Sequence, residues 1–267
     1  MFADSHTHIH DDDFPFARNE VLGAASEAGV NIIVTMTGSI KEVPLAIDYV
    51  KAGQADFPKL NLYTFLGVHP HELGGFDLKD LERLKKSIIK NPEQVKGVGE
   101  IGLDYFYDYN FRDEQIKALE MQLQLATELD LPVSLHVRSG RGRDAFLDLI
   151  PILKNFSGKV RGVLHSFTDN MNNLRKVLDQ GLYIGVNGII TFNRDEELAN
   201  VYKAIPKDRL VLETDAPYLT PKPYRGQANQ PKMIPLIAES VAKTLNLDPS
   251  EVAQVTTKNT KAVYDLS

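Results

Sequence analysis

A closed α/β barrel of eight parallel strands, each followed by a helix and with one extra helix at the C-terminus, is the fold that this sequence predicts. Three observations point there. Short β-branched runs alternate with longer amphipathic stretches from end to end, the pattern of repeated βα units around a parallel sheet. The chain has 267 residues, close to the roughly 250 that a (β/α)8 barrel takes as a single domain. The rival fold, an open doubly wound sheet, usually carries a glycine-rich phosphate loop after its first strand. Here the first strand ends in His6-Thr7-His8 instead.

The expected strands, in order, are Phe2 to Ile9, Asn31 to Met36, Asn61 to Val68, Val95 to Ile101, Pro132 to Val137, Val160 to Phe167, Leu182 to Asn187 and Arg209 to Asp215. Between them lie helical patterns such as Arg112 to Asp130, where Ile116, Leu119, Leu123 and Ala126 recur at spacings of three and four. That helix is expected to stop before Pro132, which cannot continue it. Pro231 to Leu245 and Pro249 to Tyr264 read as two further helices that complete the ring after the eighth strand. No linker, low-complexity tract or change of composition divides residues 1–267, so one barrel domain is expected.

Composition narrows the function classes. Lys and Arg number 30 against 36 Asp and Glu, a net charge of −6, which disfavours broad nonspecific adhesion to nucleic acid but leaves room for a local basic rim. The 43% hydrophobic and 25% charged fractions are ordinary globular values. No apolar run approaches the roughly 20 residues that span a bilayer, and Met1 to His6 shows no secretory pattern, so no membrane association and a cytoplasmic location are expected. The absence of cysteine removes disulfides, thiolate metal sites and cysteine nucleophiles together. Any metal must be held by His, Asp and Glu.

In a strand, residues two apart share a face, so His6 and His8 can converge on one cation. Further polar residues fall at strand ends: Glu100, His136, His165 and Asp215 close four other strands. Strand ends at the C-terminal face are where barrel enzymes build active sites. Parity agrees, since Ser134, His136 and Arg138 are expected inward with Val133, Leu135 and Val137 outward, and Val211, Glu213 and Asp215 inward with Leu210 and Leu212 outward. Six buried ionisable groups without partners would be costly, whereas one or two divalent cations satisfy them jointly. The oxygen and imidazole donor set suits Mg, Mn or Zn, and two ions about 3.5–4 Å apart would clamp a phosphodiester. Glu100 is the expected bridge, having two oxygens to share. A bound cation can lower the pKa of its water to roughly 7, and Asp215 would then serve as ligand and proton acceptor.

Other positions have lesser expected roles. His69 is expected to touch substrate, while His71 is read as a loop residue that only pins Pro70. Arg138 points its guanidinium into the mouth, where it suits phosphate. Arg141, Arg143, Lys222 and Arg225 would extend a basic rim. Glu213 and Asp4 lie two residues below Asp215 and His6 and are expected to support them. His10 and Asp11-Asp12-Asp13 are assigned to a solvated loop. Tyr105-Phe106-Tyr107 offers a stacking platform for a base or packs a loop over the rim.

Taken together, the motifs resemble one family, the TatD-like metal-dependent deoxyribonucleases of the amidohydrolase-type TIM barrels. The matching stretches are Asp4 to His8, Gly67 to Pro70, Gly99 to Asp104, Leu131 to Arg138, His165 to Phe167, Gly188 to Phe192 and Glu213 to Leu219, in the family's order and across almost the whole chain. The resemblance implies His6, His8, Glu100, His136, His165 and Asp215 as metal ligands, and phosphodiester hydrolysis on DNA. Three stretches depart from the family pattern: Ser139-Gly140-Arg141 after the His-x-Arg, His165-Ser166-Phe167-Thr168-Asp169 at the sixth strand, and Asn229-Gln230-Pro231 where the family often has Asn-Glu-Pro. The expected activity is a divalent-metal-dependent 3′–5′ exonuclease acting on single-stranded or damaged DNA ends, with a monomer favoured. The alternatives are a metal-dependent ester or amide hydrolase, such as an aminoacyl-tRNA deacylase, and a non-enzymatic binding barrel.

Overall fold

Strands β1 (Phe2–Thr7), β2 (Val30–Met36), β3 (Asn61–Phe65), β4 (Val95–Asp104), β5 (Val133–Arg138), β6 (Gly162–Leu164), β7 (Tyr183–Val186) and β8 (Leu210–Leu212) pair in parallel in that order. The computed structural model describes residues 1–107, 109–140, 142–156 and 158–266. A parallel bridge between Thr7 and Ala216 brings the last strand back to the first and closes the ring into a (β/α)8 barrel. Helices α1 (Arg18–Glu27), α2 (Val43–Asp56), α3 (Leu78–Lys90), α4 (Arg112–Glu128), α5 (Phe146–Asn155), α6 (Met171–Asp179), α7 (Glu196–Ala204) and α8 (Ile234–Leu245) follow the strands in turn. The additional C-terminal helix, α9 (Pro249–Tyr264), begins with Asp248 accepting from the Ser250 amide at 2.7 Å and Pro249 in the first turn.

Strand alternation divides the apolar residues into two clusters. Leu22, Ile33, Leu66, Ile101, Leu135 and Leu212 belong to the layer between sheet and helices. Ala3, Ile32, Val34, Phe65, Val211 and Tyr264 form a separate cluster within the barrel. The alternation expected around β8 is therefore present, with Val211 in the inner cluster and Leu210 and Leu212 in the outer one.

Several strands end earlier than expected. β6 stops at Leu164 rather than Phe167, and β8 at Leu212 rather than Asp215. Beyond those points Ser166 (φ 50°) and Asp215 (φ 57°) adopt left-handed backbone, which no ladder tolerates. β1 and β3 likewise end at Thr7 and Phe65, earlier than Ile9 and Val68. β4 instead runs on to Asp104, three residues past Ile101. Gly102 permits that extension, because at its φ of 154° a Cβ would lie 1.8 Å from the His136 carbonyl oxygen on β5. Helix α4 ends at Glu128, with Asp130 left-handed at φ 52°. Pro231–Met233 forms a 3-10 turn, and α8 proper starts at Ile234, where Pro235 occupies the first turn that tolerates proline.

Candidate metal centre

The C-terminal strand ends surround a cavity of about 600 Å³. All six residues expected as ligands meet there. Glu100 is central and 3% exposed, and its two oxygens face different partners. Oε2 lies 3.4 Å from His6 Nε2 and 3.3 Å from His8 Nε2, with Asp215 Oδ1 3.7 and 3.6 Å from the same two nitrogens. Oε1 lies 2.9 Å from both His136 Nδ1 and His165 Nε2, which are 3.3 Å apart. Donors about 2.1 Å from one cation stand roughly 3.0–3.6 Å from each other at tetrahedral to octahedral angles. Both halves of the cluster are close to that spacing, and one carboxylate joins them.

The ring nitrogens turned away from the centre are held by the scaffold. His8 Nδ1 donates to the Met36 carbonyl at 3.0 Å, which turns Nε2 toward the centre, where it is a ligand atom when the ring is neutral. His6 Nδ1 is 2.9 Å from Ser134 Oγ. His136 is turned the other way round, with Nε2 donating to Asp104 Oδ2 at 3.0 Å and Nδ1 facing inward. Glu213, expected as a supporting group, stands 3.5 Å behind His165 Nδ1 and accepts from the Ser166 amide at 2.6 Å. Gly185 makes room for it, since a Cβ there would lie 2.2 Å from Glu213 Oε2. Asp4, expected to support His6, accepts from the His6 amide at 3.4 Å and also holds Thr214, accepting from its amide at 2.9 Å and its hydroxyl at 2.6 Å.

Asp215 reaches the centre only because its backbone is left-handed, a conformation that costs a non-glycine residue about 1–2 kcal/mol. The strain is held from several sides. The Asp215 amide donates to the His6 carbonyl at 2.9 Å, the Tyr218 amide donates to the Asp215 carbonyl at 2.8 Å, and Asn229 Nδ2 donates to the Thr214 and Tyr218 carbonyls at 2.8 and 2.7 Å.

Charge follows the geometry. Burial opposes ionisation of Glu100, yet the imidazoles of His165, His69 and His6 outweigh it and hold the carboxyl well below its usual range. Burial likewise raises Asp215, but its hydrogen bond with His8 and the surrounding histidines bring it below the ordinary value. On His8, burial works against the charged ring, and hydrogen bonds to Asp215 and Glu100 overcome it and lift the pKa well above normal. Two ionised carboxylates at the centre thus draw positive charge, whether from the raised imidazoles of His8, His136 and His165 or from a cation bound among them. The donor set suits a divalent cation held by oxygen and imidazole.

His69 also enters the cavity, with Nε2 3.6 Å from Glu100 Oε1. Its Nδ1 accepts from the His71 amide at 3.1 Å, so the neutral ring carries its proton on Nε2. Burial pushes this histidine well below its usual pKa and keeps it neutral. His71 does more than pin Pro70: its ring places Nε2 2.9 Å from Asp104 Oδ2. Arg138 lines the cavity with its guanidinium 4.0 Å from the Phe106 ring centre and 5.1 Å from that of Tyr107. Of the other basic residues expected at the rim, Arg225 is occupied by the Phe192 ring at 3.9 Å and the Thr220 carbonyl at 2.9 Å. Arg143 and Lys222 do not line the cavity, and Arg141 lies outside the described residues. His10 is not in a solvated loop: it is 5% exposed and packs beside Asp11 and Glu42, because its ring finds Thr35 Oγ1 at 2.7 Å.

Sequence reasoning passes over Asp104, which joins His71 to His136 and accepts from the Phe106 and Tyr107 amides at 2.9 and 3.1 Å. The signal was available, because Glu100, Gly102 and Asp104 share one face of a strand that runs that far. Asn229 is missed for a different reason: its role is to join two carbonyls across a turn, which no side-chain pattern announces.

The chain is similar to known proteins along its whole length. Residues 3–265 match the family of TatD related DNases. The Escherichia coli protein named uncharacterized metal-dependent hydrolase YcfH is 34% identical over all of this chain and 96% of its own length. The 3′–5′ ssDNA/RNA exonuclease TatD of Erwinia tasmaniensis is 34% identical over 93% of this chain and 94% of its own. The crystal structure of YJJV, a TatD homolog from Escherichia coli, superposes with a TM-score of 0.88 at 30% identity, covering 100% of this chain and 98% of that one. A barrel with this joined cluster of histidines and carboxylates at its C-terminal mouth, matched along its whole length, belongs to the TatD related DNase family and is a metal-dependent hydrolase.

Proposed function

We propose that the protein is a phosphodiesterase that removes nucleotides from the 3′ ends of single-stranded DNA, using divalent cations held by His6, His8, Glu100, His136, His165 and Asp215. The observation that carries this reading is the division of Glu100, one oxygen to each half of the ligand cluster, which suits two cations shared across one phosphodiester. When bound, such cations supply Lewis acidity and lower the pKa of water to roughly 7.

The protein's own groups do the rest. Asp215, ionised at neutral pH and with Oδ1 turned to the centre, accepts the proton of the attacking water. His69 offers its Nε2 proton to a phosphate oxygen, and Arg138, fixed over Phe106, offers a guanidinium beside it. Tyr107, Tyr109 and Tyr218 stand partly exposed near the mouth, with the Tyr107 and Tyr109 rings stacked at 5.5 Å and Tyr218 6.3 Å from the His8 ring. Exposed aromatic faces suit unpaired bases rather than the sides of a duplex. The names of relatives such as the Erwinia tasmaniensis exonuclease support the same substrate class.

The test uses metal-stripped protein with 5′-labelled single- and double-stranded DNA, adding back Mg, Mn or Zn, beside Asp215→Ala. Stepwise shortening from the 3′ end that requires added metal and disappears in the variant is the expected result. Absence of cleavage with metal bound would overturn the nuclease assignment and turn attention to ester and amide substrates, including aminoacyl-tRNA.

A further inference from the structure

A second group of donors lies at the same mouth and shares no residue with the first. His10 Nε2, Asp11 Oδ1 and Glu42 Oε2 face one another, with the nitrogen 3.3 Å from the first oxygen and 3.7 Å from the second. The His10 side chain is fully buried, and neither its Nε2 nor Asp11 Oδ1 has a hydrogen-bond partner. Two such atoms left alone in a buried position would each cost about 1–3 kcal/mol.

The hydrogen bonds behind the ring decide what Nε2 can do. Thr35 has a single hydroxyl proton, which it donates to the Thr7 carbonyl at 3.3 Å. Its oxygen therefore accepts from His10, whose Nδ1 stands 2.7 Å away and must carry the proton. With its proton on Nδ1, the ring turns Nε2 toward two carboxylate oxygens, and nothing stands between these three donor atoms. A cation answers all three, because these separations are near those of donors around one metal ion. Glu42 is already fixed for such a role by the Gly38 amide at 2.6 Å on Oε2 and the Ser39 hydroxyl at 2.7 Å on Oε1.

We propose that His10, Asp11 and Glu42 form an auxiliary divalent-cation site at the cavity mouth, taking an ion such as Zn or Mn. Imidazole with two carboxylates is a donor set for those metals. Asp11 and Glu42 line the same cavity as His8, so the coordination positions left open face the cavity and admit water or an anionic oxygen of whatever occupies it.

The test counts metal. The metal-stripped full chain is dialysed to equilibrium against Zn or Mn, and bound equivalents are measured by elemental analysis beside His10→Gln and Glu42→Gln. The wild type is expected to hold one equivalent more than either variant, and equal equivalents in all three would overturn the site. Should a substitution disturb folding, nitrogen-15 NMR of the wild-type imidazoles decides. Movement of the His10 Nε2 signal to a coordinated position on adding Zn, with the Nδ1 proton retained, supports the site. A His10 ring unaltered at saturating Zn overturns it.

Discussion

The barrel interior has two regions that are equally hidden from water and opposite in character. Toward one end Ala3, Ile32, Val34, Phe65 and Val211 pack against Tyr264, an apolar fill that removes surface from water and stabilises the ring. Toward the other, His6 and Glu100 are just as inaccessible, at 0% and 3% exposure against 0% for Phe65. Their burial works against stability, since ionisable groups lose hydration that only partners or cations replace. Strand β1 supplies both regions, Ala3 to the first and His6 to the second. Burial alone therefore says nothing about which buried residue holds the fold and which has been placed there for chemistry.

That division can be broken by exchanging the expected phenotypes. Asp215→Ala should reduce hydrolysis about 10²–10⁴-fold, as loss of a proton acceptor does, while the unfolding midpoint of the metal-free protein holds or rises. Phe65→Ala should lower stability by about 3–5 kcal/mol and leave turnover per folded molecule intact. Loss of turnover in Phe65→Ala well below its melting temperature would show that the two regions are one unit.

A subtler substitution sharpens the boundary. Asp104→Asn leaves every proposed ligand in place but weakens the acceptor that orients His136. Calorimetric titration should show metal affinity falling by roughly 10–100-fold. Unchanged affinity would restrict Asp104 to holding the loop through the Phe106 and Tyr107 amides.

The smallest effect lies outside both regions. Burial opposes the charge on Asp148, but hydrogen bonds from Arg112 and Tyr105 outweigh it and hold the carboxyl below its ordinary value of 3.8. A depressed folded pKa adds stability above pH 3.8 and surrenders it as pH falls through the folded value. Denaturant melts of Asp148→Asn should consequently show a weaker loss of stability than wild type on acidification below that pH, and little difference in activity at pH 7.

How much of this was legible depended on whether a residue's role follows from strand alternation. His6 and His8, two apart, and His136, aligned with Ser134, are found by that rule, and the structure brings them together with Glu100, His165 and Asp215. Asp104 obeys the same rule but falls beyond the expected end of its strand, because Gly102 allows a close approach that propensity does not register. A run of three aspartates reads as solvated loop and carries His10 with it, whereas Thr35 on the neighbouring strand draws the ring inward. The early ends of β6 and β8 trace to backbone bent out of the ladder at Ser166 and Asp215, a tertiary demand that overrides local preference.

The bridge between Thr7 and Ala216 also dictates a timetable. Asp4 needs the Thr214 hydroxyl, 210 positions away, and Tyr264 donates to the Ser5 carbonyl at 3.3 Å across 259. Contacts of such sequence separation form late, after the intervening loop entropy has been overcome. While the chain is being synthesised, His6 and His8 emerge early and wait for Asp215 until most of the chain has been made. A nascent chain therefore holds five of the six proposed ligands, and no closed ring to gather them, until most of it has been made.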